Sequence, residues 1–247
     1  MVSIIEALVT NNRCYQIGTP LTPQGIMLHS VGCAQPSAAV FARSFNQYQP
    51  GGSSVCVHAF AQADGTVYQL LPWEMRGWHC GGSANSTHIG VEMTEPSAGM
   101  TRSEAAEQIA GTYRTVVELF AELCKQYELD PAQDGVIIGH AEGHRRGVAS
   151  NHADPELLWR TYDMGYTMDG FRRDVAEAMK NGAREEALDM PRYDSVAEMP
   201  QWARAGVQRL IDRGALQGNT DGKLDVSEDM LRTMIVCQRM LDEQKET

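Results

Sequence analysis

The sequence predicts an α/β fold for residues 1–182 and a small helical module at 194–247. Three observations lead to this prediction. Short apolar segments bounded by glycines or turn residues recur through the first part, and they are typical of buried strands. A long helix with its own start signal lies between two of these segments, which is the alternation expected of an α/β body. The charged stretch 183–193 has no apolar periodicity and predicts a linker.

The first elements are predicted from local patterns near the N-terminus. Ser3 is followed three residues later by Glu6, a spacing typical of a capping box, so a short N-terminal helix is expected. The segment GIMLHSVG at 25–32 is an apolar run between glycines and predicts a buried strand that ends at His29. The apolar spacing of 36–45 predicts a helix after this strand.

The middle of the chain predicts a hairpin and a further strand. Residues 53–72 contain two runs of β-branched and aromatic residues, and Asp64-Gly65 between them is a turn signal. The segment HIGVEM at 88–93 alternates in the manner of a strand. Glu92 therefore points away from the face that its apolar neighbours share.

Two helices and one strand complete the first part. Thr101 and Glu104 form a second capping-box pattern, at the start of a predicted helix that runs to about Glu128. The apolar segment 135–140 predicts another buried strand, which also ends on a histidine. Residues 167–182 predict a helix that closes at its terminal glycine.

The module at 194–247 is predicted to contain two helices around a turn-rich segment, 218–225. The second helix is expected to bury Met230, Met234, Cys237 and Leu241 on one face. The pattern W-A-x-x-x-V-x-x-L resembles a single S-layer-homology-like repeat. Such a module would bind cell-wall polymer, form a homodimer through its apolar faces, or cap the first part of the chain.

Composition and charge restrict the classes of partner. The 247 residues include 32 acidic and 21 basic ones, which disfavours nucleic acid and anionic membranes because both favour a basic face. No segment reaches the roughly 20 apolar residues of a membrane span. The N-terminus lacks the pattern of a signal peptide, so we expect synthesis in the cytoplasm and action outside the cell only after release. The six cysteines have no CxxC spacing and are expected to be free thiols.

The residues with the greatest chemical interest follow the predicted strands. Because functional groups gather beyond the carboxyl ends of strands in open α/β sheets, His29 and His140 are expected to meet in one crevice. Two imidazoles suggest zinc, which in catalytic sites takes three protein ligands and keeps one position for water. The third ligand is open at this point: Asp154, a cysteine, or His144, which would pair with His140 on one helix. The glycines around His140 favour a loop that returns Asp154 to it.

Glu92 is the candidate acid and base. A carboxylate beside a metal-activated water can accept its proton and pass it to a leaving amine. The alternative is a strand glutamate that faces solvent, and the local pattern is equally compatible with both.

Three separated segments, GIMLHSVG, VHAFAQADGTVYQLLPWEMRGWHCGGSANSTHIGVEM and GVIIGHAEGHRRGVASNHADPELLW, resemble the N-acetylmuramoyl-L-alanine amidase family. This family is related to peptidoglycan recognition proteins and phage lysozyme-type amidases, and the resemblance is closest to phage or prophage endolysins of Firmicutes. It covers about 1–180. It implies a mixed central sheet flanked by helices, and a zinc enzyme that cleaves the amide between N-acetylmuramic acid and L-alanine of peptidoglycan. A non-catalytic peptidoglycan-binding protein of the same fold is the alternative.

The resemblance also implies roles for single residues. The zinc ligands would be His29, His140 and Asp154, and Glu92 would be the general base. His152 stands where many relatives carry a lysine that polarises the scissile carbonyl. Segments that line the substrate groove in relatives contain His58, Trp78, His79 and Asn85.

Overall fold

The computed structural model describes residues 2–47, 55–189 and 191–243. The chain divides into two compact units, Met1–Asn181 and Gly182–Thr247, which we describe separately. In the described residues no helix is both long and apolar enough to cross a membrane.

The first unit alternates strands and helices. In chain order they are β1 (Ser3–Glu6), α1 (Arg13–Ile17), β2 (Gly25–Ser30), α2 (Ala38–Phe45), β3 (Ala59–Ala61), β4 (Thr66–Gln69), β5 (His88–Met93), α3 (Arg102–Gln126), β6 (Ile137–Gly139), α4 (His140–Arg145), α5 (Glu156–Thr161) and α6 (Met168–Asp189), of which residues 182–189 belong to the second unit.

The six strands form one mixed sheet in the order β1-β4-β3-β5-β2-β6. The β3–β4 hairpin is antiparallel and the other neighbouring pairs are parallel. Ala59 and Ala61 belong to a core with α3, whereas Phe60 between them packs with α2. Helices therefore cover both faces of the sheet, and the predicted α/β fold with a mixed central sheet is confirmed.

Helix α3 supplies the largest helical contribution to the core. Its capping box is present as predicted, because Thr101 Oγ1 accepts from the backbone N–H of Glu104 and Thr101 N–H donates to Glu104 Oε2, at 3.3 and 2.8 Å. Ile109, Val116 and Phe120 are fully buried against the sheet. The helix thereby fixes the back of the sheet, opposite the face that carries the predicted site.

The predicted N-terminal helix is wrong. Ser3–Glu6 is an edge strand that pairs in parallel with Thr66–Gln69. Four residues are too few to offset the cost of nucleating a helix, whereas β-branched Ile4 and Ile5 suit a strand. A short helix begins later, at Arg13, where the Asn12 side chain accepts from Cys14 N–H at 2.9 Å.

The glycine-rich segment after β6 forms a short helix, α4, where we expected a loop. Arg172 donates to both carboxylate oxygens of Glu142 at 2.9 and 3.1 Å, and Glu142 Oε2 accepts from Gly139 N–H at 3.3 Å. These contacts hold the helix from its side and at its start. A Cβ at Gly143 would lie 2.9 Å from Met27 Cε, so this glycine permits close packing on the sheet. Helix α6 also differs from the prediction, since it continues past Gly182 to Asp189.

The second unit contains β7 (Arg192–Tyr193), α7 (Gln201–Asp212), β8 (Val226–Ser227) and α8 (Glu228–Glu243). Its strands pair antiparallel, and its core consists of Met199, Ala203, Val207, Val226 and Leu231.

The two helices of this unit were predicted, but the buried face of α8 was predicted only in part. Met234 packs against the core as expected, and Leu231 and Ile235 are buried, while Met230 is 47% exposed and Cys237 is exposed. Because β8 leads directly into α8, the strand pairing sets the helix phase, and periodicity alone does not supply that information. The Leu241 side chain lies outside the described residues.

Candidate metal centre and its cavity

The sheet places His29 beside Glu92. Strands β2 and β5 are parallel neighbours, and their register pairs these two residues. Leu28 and Val91, one position earlier on each strand, belong to the core against α3. Because strand side chains alternate between faces, His29 and Glu92 both point away from that core, at the carboxyl ends of their strands.

His140 and Asp154 reach the same place from the other side of β2. Strand β6 pairs with β2 in parallel, and His140 is the first residue after it. The chain then returns, and Ala141 N–H donates to the backbone oxygen of Asp154 at 3.1 Å. Asp154 Oδ2 accepts from Ser30 N–H at 3.3 Å. The predicted return of Asp154 to His140 is confirmed.

Three potential ligand atoms converge here. His29 Nδ1 lies 3.0 Å from His140 Nδ1 and 3.2 Å from Asp154 Oδ2, and His140 Nδ1 lies 3.5 Å from Asp154 Oδ1. Two imidazole nitrogens and one carboxylate oxygen form a donor set that suits zinc and leaves a fourth position open. His144 is exposed and lies outside this group, and the group contains no cysteine.

The three side chains line a cavity of about 910 Å³. Glu92, His152, Trp78, His79 and Asn85 line it as well. The structure therefore brings eight of the nine predicted site residues to one cavity, and the exception is His58.

Glu92 has an unusual environment within this cavity. Its Oε2 atom is buried and has no hydrogen-bond partner among the described residues. Burial, reinforced by the nearby carboxylates of Asp154 and Glu95, raises the pKa of Glu92 well above its usual range. A carboxyl group with a raised pKa is suited to accept and return a proton.

His152 lies at the open side of the group. Its side chain is 61% exposed, and its ring stacks on His140 with centroids 4.6 Å apart. The Nδ1 atom is 4.0 Å from Asp154 Oδ1. The stacked ring can donate an N–H to a molecule that enters the cavity.

Residues 19–157 match the family model of N-acetylmuramoyl-L-alanine amidase. The match extends over more than half of the chain and includes every residue of the cavity group from His29 to Asp154. The chain belongs to the N-acetylmuramoyl-L-alanine amidase family.

Individual relatives agree with this assignment. The N-acetylmuramoyl-L-alanine amidase XlyA of Bacillus subtilis (strain 168) is 29% identical over 102 residues, which are 40% of this chain and 34% of that protein. The match thus spans about a third of the length of this curated relative. The comparisons give no support to the predicted homodimer.

Two solved structures share the fold. The catalytic domain of XlyA superposes with a TM-score of 0.52 at 24% identity, covering 70% of this chain and 99% of that one. The Staphylococcus aureus hydrolase AmiA, solved in complex with its ligand, has a TM-score of 0.56 at 21% identity and covers 74% and 85%. At these identities the likeness concerns the fold alone.

His58 is not among the residues that line the cavity of this amidase-family chain, and its contact with substrate stays a prediction. The segment from Met75 to Trp78 folds over the imidazole: His58 Nε2 donates to Met75 O at 2.7 Å, and Trp78 bridges to Cys56. His58 Nδ1 accepts from Gly90 N–H at 2.9 Å. Burial lowers the pKa of His58 to about 4, so the ring is neutral and structural.

Asn85 lines the cavity, but its side-chain oxygen is already engaged. Asn85 Oδ1 accepts from the backbone N–H groups of His79 and Cys80 at 2.9 and 3.0 Å. The residue holds the segment that carries His79. A role in contacting substrate stays a prediction for Trp78, His79 and Asn85.

Several cavity residues were missed by sequence reasoning: Glu95, Ser150, Leu157, Leu158 and Tyr162. Ser150 lies in the sequence between His140 and Asp154, two predicted ligands, and this position is the one sequence signal that could have placed it near the cavity. The apolar residues on and beside α5 carried no signal, because an apolar cavity wall has the same sequence pattern as a core-facing helix.

Proposed function

We propose that this chain hydrolyses the amide bond between N-acetylmuramic acid and L-alanine in bacterial peptidoglycan, using zinc held by His29, His140 and Asp154. One observation carries the proposal: these three side chains converge in a cavity that Glu92 also lines, and Glu92 Oε2 has no hydrogen-bond partner among the described residues. Membership of the amidase family supplies the class of reaction.

The donor set determines what a bound ion contributes. Zinc held there would polarise the scissile carbonyl and lower the pKa of a water molecule towards about 7. The Asp154 carboxylate offsets part of the positive charge, and Ser30 N–H holds that carboxylate in place.

Glu92 transfers the proton in this scheme. It lies next to His29 across the sheet, so its carboxylate can accept the proton of the attacking water. The amine of L-alanine must be protonated to leave, and the raised pKa of Glu92 favours holding the proton until that step.

His152 stabilises the oxygen of the carbonyl under attack. Its ring is held by stacking on His140, and it faces the open part of the cavity. An N–H aimed at a developing oxyanion lowers the barrier because the negative charge grows in the transition state. A histidine can therefore replace the lysine that many relatives carry.

For the module at 194–247 we propose retention on the cell wall. Trp202 is 44% exposed, and the Arg232 guanidinium, which also pairs with Glu228 at 2.8 Å, lies 5.8 Å from its ring centroid, so an aromatic ring faces solvent beside an ion pair. Trp202→Ala should reduce sedimentation of the full chain with purified cell walls, and unchanged sedimentation would contradict this role.

Product analysis tests the main proposal. The full chain with zinc is incubated with purified peptidoglycan, and the new ends are identified by mass spectrometry. We expect free lactyl groups on muramic acid and N-terminal L-alanine. Other new ends would indicate a different hydrolase, and binding without new ends would indicate a non-catalytic binding protein.

A further inference from the structure

His79 and Ser150 lie outside the ligand group. Each makes a hydrogen bond to the Nε2 atom of a ligand histidine, on the side of the ring that faces away from the group. His29 Nε2 lies 2.9 Å from His79 Nδ1, and His140 Nε2 lies 3.3 Å from Ser150 Oγ. Each of these partners in turn contacts a backbone carbonyl. Each ligand histidine, its partner and the backbone carbonyl thus form a chain of hydrogen bonds. Because a carbonyl oxygen only accepts, the partner must donate to it, and this sets which atom donates in each chain.

The first chain ends at the backbone oxygen of His88, which lies 3.1 Å from His79 Nε2. His79 must donate there. Its ring contacts the imidazoles of His29 and His58, and no hydrogen bond or ion pair of the described residues joins it to a carboxylate. Without an anionic partner a cationic ring is unfavourable at this partly buried position, so the neutral form is expected, with the hydrogen on Nε2 and Nδ1 as the acceptor.

This direction determines the tautomer of His29. Since His79 Nδ1 accepts, His29 Nε2 carries the hydrogen and His29 Nδ1 presents its lone pair to Asp154 and His140. The opposite tautomer would direct two lone pairs at each other across 2.9 Å between His29 Nε2 and His79 Nδ1.

The second chain has the same direction. Ser150 Oγ donates its hydrogen to Cys80 O at 3.0 Å, so it can only accept from His140. His140 Nε2 then carries the hydrogen, and His140 Nδ1 also presents a lone pair to Asp154. Two lone pairs and a carboxylate converge within 3.5 Å, and the outward hydrogen bonds of His29 Nε2 and His140 Nε2 hold this arrangement ready for a cation.

The sequence makes room for the first chain. A Cβ at Gly90 would lie 2.5 Å from His79 Cγ, so the ring occupies the space that a side chain on β5 would fill. Asn85 Oδ1 holds the backbone of His79 and Cys80, the two residues through which the chains run.

We propose that His79 and Ser150 are positioning residues that set His29 and His140 as Nε2–H tautomers and so prepare both Nδ1 atoms to bind zinc. The inference deepens the proposed function and rests on it for the identity of the metal. It assigns no contact with substrate to either residue.

Matched substitutions test the proposal through zinc affinity, measured by competition with a chromophoric chelator. His79→Leu and Ser150→Ala remove the acceptors, and each should weaken zinc binding by about 10- to 100-fold. His79→Asn keeps an acceptor near the Nδ1 position and Ser150→Thr keeps the hydroxyl, so both should restore most of the affinity. His144→Leu alters an exposed histidine outside the group and should have no effect.

A second measurement uses the metal-free protein. Long-range nitrogen–proton NMR correlations of the histidine rings report which nitrogen is protonated. We expect Nε2–H tautomers for His29 and His140 in the wild type, and a mixture for His29 in His79→Leu. Melting of each metal-free variant shows whether it folds.

Several results would overturn the inference: Nδ1 protonation of His29 in the metal-free wild type, wild-type zinc affinity in His79→Leu and Ser150→Ala, or equal losses in the Leu and Asn variants. None of these measurements involves peptidoglycan. A chain that binds zinc through these tautomers but leaves peptidoglycan intact would refute the proposed function alone.

Discussion

Glu92 and His152 face the same cavity from two different kinds of structure. Glu92 lies on a central strand, and its Oε2 atom is shielded from solvent. His152 lies in a loop before α5, with most of its side chain exposed. We call the buried part of the cavity, with Glu92 and the ligand group, its floor, and the open side, with His152, its rim. The floor is fixed by the strand register, whereas the rim is held by the stacking of the His152 ring on His140.

This difference separates two kinds of contribution. On the floor, burial changes the chemistry of a group, as the raised pKa of Glu92 illustrates. At the rim, solvent screens charge, so a residue contributes mainly a hydrogen bond of the correct geometry. We therefore expect substitutions on the floor to cost more activity than substitutions at the rim.

The largest effect is expected from the ligand group on the floor. Asp154→Ala should abolish stoichiometric zinc, measured by elemental analysis, and with it the release of peptide from peptidoglycan. Asp212→Ala removes an exposed carboxylate of the second unit and should retain both. Full zinc occupancy in Asp154→Ala would remove this residue from the ligand set.

Glu92→Gln is expected to cause the second-largest loss of activity. The amide keeps the shape of the side chain but cannot accept the proton, so turnover should fall by about 10²- to 10⁴-fold while zinc remains bound. Glu107→Gln, on the exposed side of α3, is the matched control. Turnover near the wild-type rate in Glu92→Gln would exclude it as the general base.

His152 tests the rim. Loss of one oxyanion donor by His152→Ala should reduce kcat by about 10²- to 10³-fold, at or below the range for Glu92, with zinc retained. His152→Lys should recover part of this loss, since an ammonium can donate to the same oxygen. His144→Ala provides the control. A larger loss for His152→Ala than for Glu92→Gln would reverse the proposed ranking of floor and rim.

The floor was more predictable from sequence than the rim or its supports. Alternation along 88–93 placed Glu92 opposite its apolar neighbours, because the period of a strand is a local property. That His29 shares this face follows from the register of β2 and β5. The strand ending at His140 was predicted from its apolar segment. The family resemblance supplied Asp154 as the third ligand, and the structure brings its carboxylate beside His29 and His140.

What was missed depends on contacts between distant residues. Helix α4 forms because Arg172, thirty residues away, pairs with Glu142. Ser3–Glu6 is a strand because β4 offers it an edge. His58 was assigned to the cavity because nothing in its own segment indicates that Met75 covers it. Local patterns determine which face a side chain takes, but not what packs over it.

The smallest expected effect comes from His58, and it is an effect of pH on the stability of the folded chain. Its pKa of about 4 in the folded chain is below the ordinary value for histidine, so the unfolded chain binds more protons between these two values. The free energy of unfolding should therefore fall as the pH decreases from about 6.5 to 4, by at most about 1.4 kcal/mol per pH unit from this residue.

Urea titrations of zinc-loaded protein across that pH range measure the slope. His58→Gln has no titrating ring and should make the slope less steep. An identical slope in wild type and His58→Gln would contradict the lowered pKa of His58 and, with it, the burial of a neutral ring beneath Met75.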